Sequence, residues 1–204
     1  MTIQKGFTLI ELLIVIGIIA LLATTIVLVL NPAQLLGQAR DSQRISDLDT
    51  MRSAISLYLA TADGTPAITL GDSAKCYLSL TSTTNITANC NDRHASTRTT
   101  TAATSTTARA INGTGWVPVD FQEVSGGSPL AVLPTDPLNN TTYFYSYAPD
   151  DTKKTFEIDA NMESTRYSTS GGDDVESNTE DGGSDGSGTD VSANIYEVGT
   201  NLGL

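Results

Sequence analysis

The chain has 204 residues, with 11 Lys and Arg against 23 Asp and Glu and a net charge of −12 at pH 7. That length holds one membrane segment and one domain of ordinary size, and so acidic a molecule repels polyanions, which argues against nucleic acid as a partner. The single histidine, His94, provides no multi-histidine metal site and no histidine-based triad, so enzyme activity is not expected.

Met1 to Gly6 is too short to fold and reads as a processing leader. From Phe7 to Leu30 only Glu11 is charged; about 24 residues at about 1.5 Å rise each are enough helix to cross a hydrocarbon layer of about 30 Å. A cleavable secretory signal has a shorter apolar run followed by a small-residue cleavage site, and no such site follows here. Lys5 is the only basic residue before Arg40, which makes the leader the cytoplasmic end and places the remainder outside. A carboxylate near the end of an apolar helix is costly in lipid, so Glu11 calls for a cation.

Gly6-Phe7-Thr8-Leu9-Ile10-Glu11 ahead of a long apolar helix resembles the class III leader of type IV pilins and type II secretion pseudopilins. The resemblance implies that a prepilin peptidase cuts between Gly6 and Phe7 and that Phe7 is then N-methylated. It also implies that Glu11 meets the positive terminus of a neighbouring copy while the helices bundle on an inner-membrane assembly platform.

Asn31-Pro32 disfavours helix and removes a backbone donor, predicting a kink or a local break near the outer edge of the bilayer. Ile45, Leu48, Met51, Ile55 and Tyr58 or Leu59 then recur at helical spacing, with Arg40, Asp41, Arg44, Asp47, Asp49 and Arg52 over much of the remaining surface. This is an amphipathic continuation over 31–62 with one buried stripe, ended by Asp63-Gly64. Residues 7–61 together predict one helix about 80 Å long.

Residues 63–204 form the expected extracellular head. Ala67 to Leu70 and Cys76 to Leu78 suit a loop and a strand, whereas 81–109 is Thr, Ser, Ala and Asn with few large apolar residues and is expected to be an exposed loop containing His94. Its Thr and Ser offer sugar attachment points, with plain solvated loop as the competing reading. Tyr143, Tyr145 and Tyr147, then Phe156, Ile158, Ala160 and Met162, alternate with period two around Pro149-Asp150-Asp151-Thr152, predicting an antiparallel hairpin whose apolar face covers the helix stripe. Ile195 to Val198 predicts a short final strand. The fold class is therefore α+β, a long helix packed against a small antiparallel sheet, which is also the pilin fold the resemblance implies.

Two further sites are expected in the head. Outside the cell Cys76 and Cys90 are able to form a disulfide, the alternative being two separate thiols. The acidic loop 168–190 offers Asp173, Asp174, Glu176, Asp181 and Asp185 as oxygen ligands for calcium. Its spacing is not that of an EF-hand, and a charge-solvated loop competes with the calcium reading. The function these features imply is a structural subunit of a type IV pilus-like filament, inserted in the cytoplasmic membrane before assembly and at the cell surface afterwards. A pseudopilin of a secretion or DNA-uptake system and a membrane-tethered binding module are the alternatives.

Overall fold

A computed structural model describes residues 6–61, 68–86, 90–91, 93–94, 98–104, 106–168, 171–176, 195–202 and 204, and of residues 27–29 the backbone only. Two helices come first, α1 at Leu9–Leu30 and α2 at Pro32–Thr61. Between them Asn31 takes a left-handed conformation at φ 39° and ψ 79°, where asparagine is among the residues that tolerate positive φ. Pro32 opens α2 at the first helical position, where its missing N–H is no loss. The expected single helix is thus two, about 33 Å and about 45 Å long by helical rise, divided at the predicted Asn31-Pro32 step. Asp63-Gly64 lies outside the described residues.

The head is built on a five-stranded mixed sheet ordered β2-β1-β3-β4-β5, with β1 at Lys75–Leu78, β2 at Thr99–Ala102, β3 at Tyr145–Asp150, β4 at Thr155–Ala160 and β5 at Tyr196–Gly199. All its pairings are antiparallel except that of β1 with β2. The hairpin of β3 and β4 is where the period-two pattern predicts it, but Pro149 and Asp150 belong to β3 and the turn is 151–154. Pro149 fits inside the strand because β3 pairs with β1 only through Ser146 and Tyr147, so no ladder bond toward β1 is lost at Pro149. In the turn the Asp150 carboxylate accepts the N–H groups of Thr152 and Lys153, each at 3.0 Å.

One face of the sheet carries Tyr145, Tyr147, Phe156, Ile158, Ala160, Tyr196 and Val198, and α2 covers it with Leu48, Met51, Ala54, Ile55 and Tyr58. The segment 116–133 closes the same core with Trp116, Val117, Val119, Phe121 and Leu133. Trp116 is satisfied there by donating from Nε1 to Pro134 O at 2.9 Å, as a buried indole requires.

Two expectations about polar residues are corrected. Asp41 and Arg44, expected on the solvated side of the helix, are fully buried. Arg44 donates from Nε (2.6 Å) and Nη2 (3.0 Å) to Asp136 and from Nη1 (2.6 Å) to Asp41. Asp41 in turn accepts the N–H groups of Glu163 (2.9 Å) and Ser164 (2.7 Å). Burial pushes the Arg44 guanidinium down, and its pairs with Asp136 and Asp41 more than reverse this, leaving its pKa raised. Helical spacing marks which side of α2 is apolar, and a charge with buried partners on other elements escapes that pattern.

The second correction concerns 81–109. Residues 81–85 are exposed, but Cys90, Arg93, His94 and Arg98 are buried and Thr99–Ala102 is β2, parallel to β1. Threonine is β-branched and suits a strand, so a Thr-rich stretch poor in large apolar groups still supplies an edge strand by backbone pairing. The polar composition is accommodated because this layer lies against the polar face of the hairpin, on the side opposite α2.

Candidate functional site

The N-terminal site is built by α1. Its described side chains from Leu9 to Ile26 are all exposed, with Phe7 at 93 % and Leu9 at 81 %. Leu9–Ile26 is long and apolar enough to cross a membrane, and together with the leader residues this supports membrane insertion. Gly6 precedes the helix, and a Cβ placed there meets nothing within 4 Å. Among the described residues nothing requires glycine at 6.

Thr8 is the N-cap of α1, in the extended region at φ −79° and ψ 151°. Glu11 N–H donates to Thr8 Oγ1 at 3.2 Å, while Thr8 N–H and Oγ1 donate to Glu11 Oε2 at 2.9 and 2.7 Å. This reciprocal arrangement is a capping box. Its sequence signature, Thr-x-x-Glu ahead of an apolar run, stands at Thr8 to Glu11, so the carboxylate expected to call for a cation already has hydrogen-bond donors in its own chain. The correction matters for the site: Oε2 is engaged within the chain, and Glu11 is held at the start of the helix in a fixed orientation.

In the head, Cys76 on β1 and Cys90 are joined as a disulfide, with 6.1 Å between Cα atoms, and both are fully buried beside Leu78, Phe144 and Ala148. The same face of the sheet carries Ser146 from β3, Glu157 and Asp159 from β4, and Glu197 from β5, all buried. Asp159 and Glu197 are register partners. Burial, then Glu157 and Glu197, pushes the Asp159 carboxyl well up. His94, expected in an exposed loop, is 2 % exposed and lies against this row. Its Nδ1 is 3.3 Å from Glu157 Oε1 and its Nε2 3.0 Å from Asp159 Oδ2. The burial of His94 follows from the strand alternation, which directs Glu157 and Asp159 away from α2 and into the layer where His94 lies.

Of the acidic residues expected to bind calcium, Asp173, Asp174 and Glu176 are described, and Asp181 and Asp185 lie outside the described residues. Asp173 pairs with Arg166. Asp174 accepts the Glu176 N–H at 3.0 Å, and Glu176, itself buried, accepts the Met162 N–H at 2.7 Å. The described part of the segment therefore has structural partners of its own.

No curated protein and no solved structure matches the chain. Residues 1–27 match the family model described as the prokaryotic N-terminal methylation motif. Over those residues the chain carries the class III leader found in type IV pilins and pseudopilins.

Proposed function

We propose that this chain is a structural subunit of a type IV pilus-like extracellular filament, freed of its leader between Gly6 and Phe7 by a prepilin peptidase and assembled through α1. The observation that carries the reading is the difference between the two helices. α2 buries one side in the head, whereas α1 presents apolar side chains all round and buries none of the described ones within the chain. A helix apolar on every side must lie in lipid or among other helices, and a filament supplies the second environment once the subunit leaves the membrane.

Glu11 would set the register of that packing. Both hydrogen bonds its carboxylate accepts from Thr8 end on Oε2, so Oε1 remains to accept the amine that cleavage creates at Phe7 of a neighbouring copy. An unpaired carboxylate in a dry bundle costs several kcal/mol, which favours the register that pairs it and couples assembly to leader removal.

The test is electron microscopy of sheared surface filaments, with mass spectrometry of their subunit. Filaments whose subunit begins at N-methylated Phe7 are the expected result. Filaments lacking this chain, or surface protein still beginning at Met1, would overturn the reading. Glu11→Ala supplied as the sole subunit should be cleaved and inserted yet form few filaments. Normal filament numbers from a correctly processed Glu11→Ala subunit would leave α1 packing as sufficient and remove the pairing argument.

A further inference from the structure

We propose that His94, Glu157 and Asp159 hold a divalent transition-metal ion of the zinc class, which fastens the layer around residues 90–94 to β4. One ligand atom from each residue lies within 4.8 Å of the other two, and all three residues are buried. Neighbouring ligands of a tetrahedral ion with bonds of about 2.0–2.2 Å are about 3.4 Å apart, so the set closes on an ion by a contraction of about 1.4 Å at most, within reach of side-chain rotation. Glu157 and Asp159 share one face of β4 because they are two residues apart on a strand, and His94 meets them from the layer above.

The hydrogen bonding points to a ligand as well. Both ring nitrogens of His94 and Oδ1 of Asp159 are buried with no hydrogen-bond partner, although the nitrogens stand 3.3 and 3.0 Å from carboxylate oxygens. An imidazolium bridging two carboxylates would aim an N–H at each, and here neither is aligned. Two ligands of one ion, by contrast, lie about 3 Å apart with the oxygen well off the nitrogen lone-pair axis, because both lone pairs converge on the metal; the ion would take one ring nitrogen, Nε2 beside Asp159, and the other would keep the imidazole proton. Buried polar atoms left without partners are rare enough to need such an explanation.

Two arginines as well as His94 stand near these carboxylates. Glu197 is a third buried carboxylate on the same face. Arg93 is close enough to act on Asp159, yet its hydrogen bonds go to neutral oxygens: the Phe144 and Thr142 carbonyls, Ser146 Oγ and the Asn161 side chain. It also stacks on the Phe144 ring at 3.5 Å. Arg98 donates to the Lys75, Pro149 and Leu204 carbonyls. Glu157 is oriented by the Leu204 N–H, which donates to Oε2 at 2.6 Å, and Asp159 Oδ2 accepts from Ser146 Oγ at 3.2 Å. Such outer hydrogen bonds hold ligands in place. An imidazole with two carboxylates suits zinc, manganese or iron(II) better than calcium or magnesium, which favour all-oxygen shells.

The test uses the full-length protein in detergent, stripped with EDTA, reloaded separately with Zn2+, Mn2+ or Co2+, desalted and assayed for metal by mass spectrometry. About one ion per chain is expected for at least one metal, with a rise in melting temperature of roughly 5–10 °C at a hundredfold excess over Kd. His94→Gln should lose both the ion and the rise, while Asp181→Asn combined with Asp185→Asn keeps them, separating this site from the acidic loop. If His94→Gln fails to fold, X-ray absorption of the metal-loaded wild-type protein decides, and one imidazole in the first shell is expected. Retention of no ion, an all-oxygen shell, or metal binding unchanged in folded His94→Gln would overturn the proposal.

Discussion

Asp136→Ala should be among the most damaging substitutions in the head. Asp136 lies in the turn-rich connector after Leu133, and its carboxylate takes two hydrogen bonds from Arg44, at 2.6 and 3.0 Å, with both side chains fully buried. The same carboxylate accepts the N–H groups of Leu138 (2.8 Å) and Asn139 (3.2 Å). Removing it strands one edge of the Arg44 guanidinium in the interior and orphans two backbone donors. Arg44 retains Asp41 at 2.6 Å and Glu163 at 3.6 Å, so the charge is not wholly abandoned. Breaking a buried pair from one side costs about 3–5 kcal/mol, which for a head of about 140 residues lowers the melting temperature by roughly 10–15 °C. Near-ultraviolet circular dichroism of the full-length protein in detergent follows the buried Trp116 and tyrosines. A double-mutant cycle isolates the pair: Asp136→Ala should cost several kcal/mol less in an Arg44→Met background, because no stranded guanidinium remains. Equal losses in the two backgrounds, or a loss under about 1 kcal/mol in the wild-type background, would refute the claim that this pair fastens the connector to α2.

Cys90→Ser opens a loop of sequence separation 14 and should lower stability by about 3 kcal/mol on the chain-entropy estimate; a chemical-denaturation midpoint that does not move would contradict it. The hydrogen bond from Arg40 holds the Glu163 carboxyl below its ordinary value of 4.5. A lowered folded pKa gives stability that is complete above that ordinary value and lost as pH falls through the folded one. Partial exposure of the pair limits the effect to about 1 kcal/mol, and Glu163→Gln should flatten the melting-temperature profile below pH 4.5 relative to wild type. Burial pushes Asp47 up, against the Tyr145 hydroxyl that donates to it at 2.9 Å. Here stability is lost as pH rises from the unfolded toward the folded pKa, so Asp47→Asn, which can still accept from Tyr145, should melt higher than wild type at pH 7 and no higher at pH 3.

The parts of this molecule that were legible in its sequence are those in which one face of an element is apolar and the other polar. Phe156, Ile158 and Ala160 alternate with Glu157 and Asp159, and that pattern places the hairpin and the direction of each side chain. Leu48, Met51, Ile55 and Tyr58 do the same for α2, and Asn31-Pro32 marks the helix break by backbone sterics alone. What the pattern could not carry was a second layer. A strand's polar face is ordinarily read as facing solvent, but here Cys90, Arg93 and His94 cover it, and two of these three are themselves polar. Arg93, His94 and Arg98 have no apolar signature, and they are buried because the strands opposite them supply carboxylates, hydroxyls and carbonyls. The same holds on α2, where Asp41 and Arg44 lie inward only because Asp136 and the N–H groups of Glu163 and Ser164 are there to meet them. Apart from Arg98 with the Lys75 carbonyl, 23 positions away, these contacts join residues about 50 or more positions apart, so no window short enough to show periodicity contains both partners. The capping box at Thr8 and Glu11 is the opposite case, complete within four residues and readable from them. The two kinds of site differ in consequence as they do in legibility: the local one fixes how Glu11 is presented to another molecule, and the distant ones decide whether the head that follows α1 holds its shape.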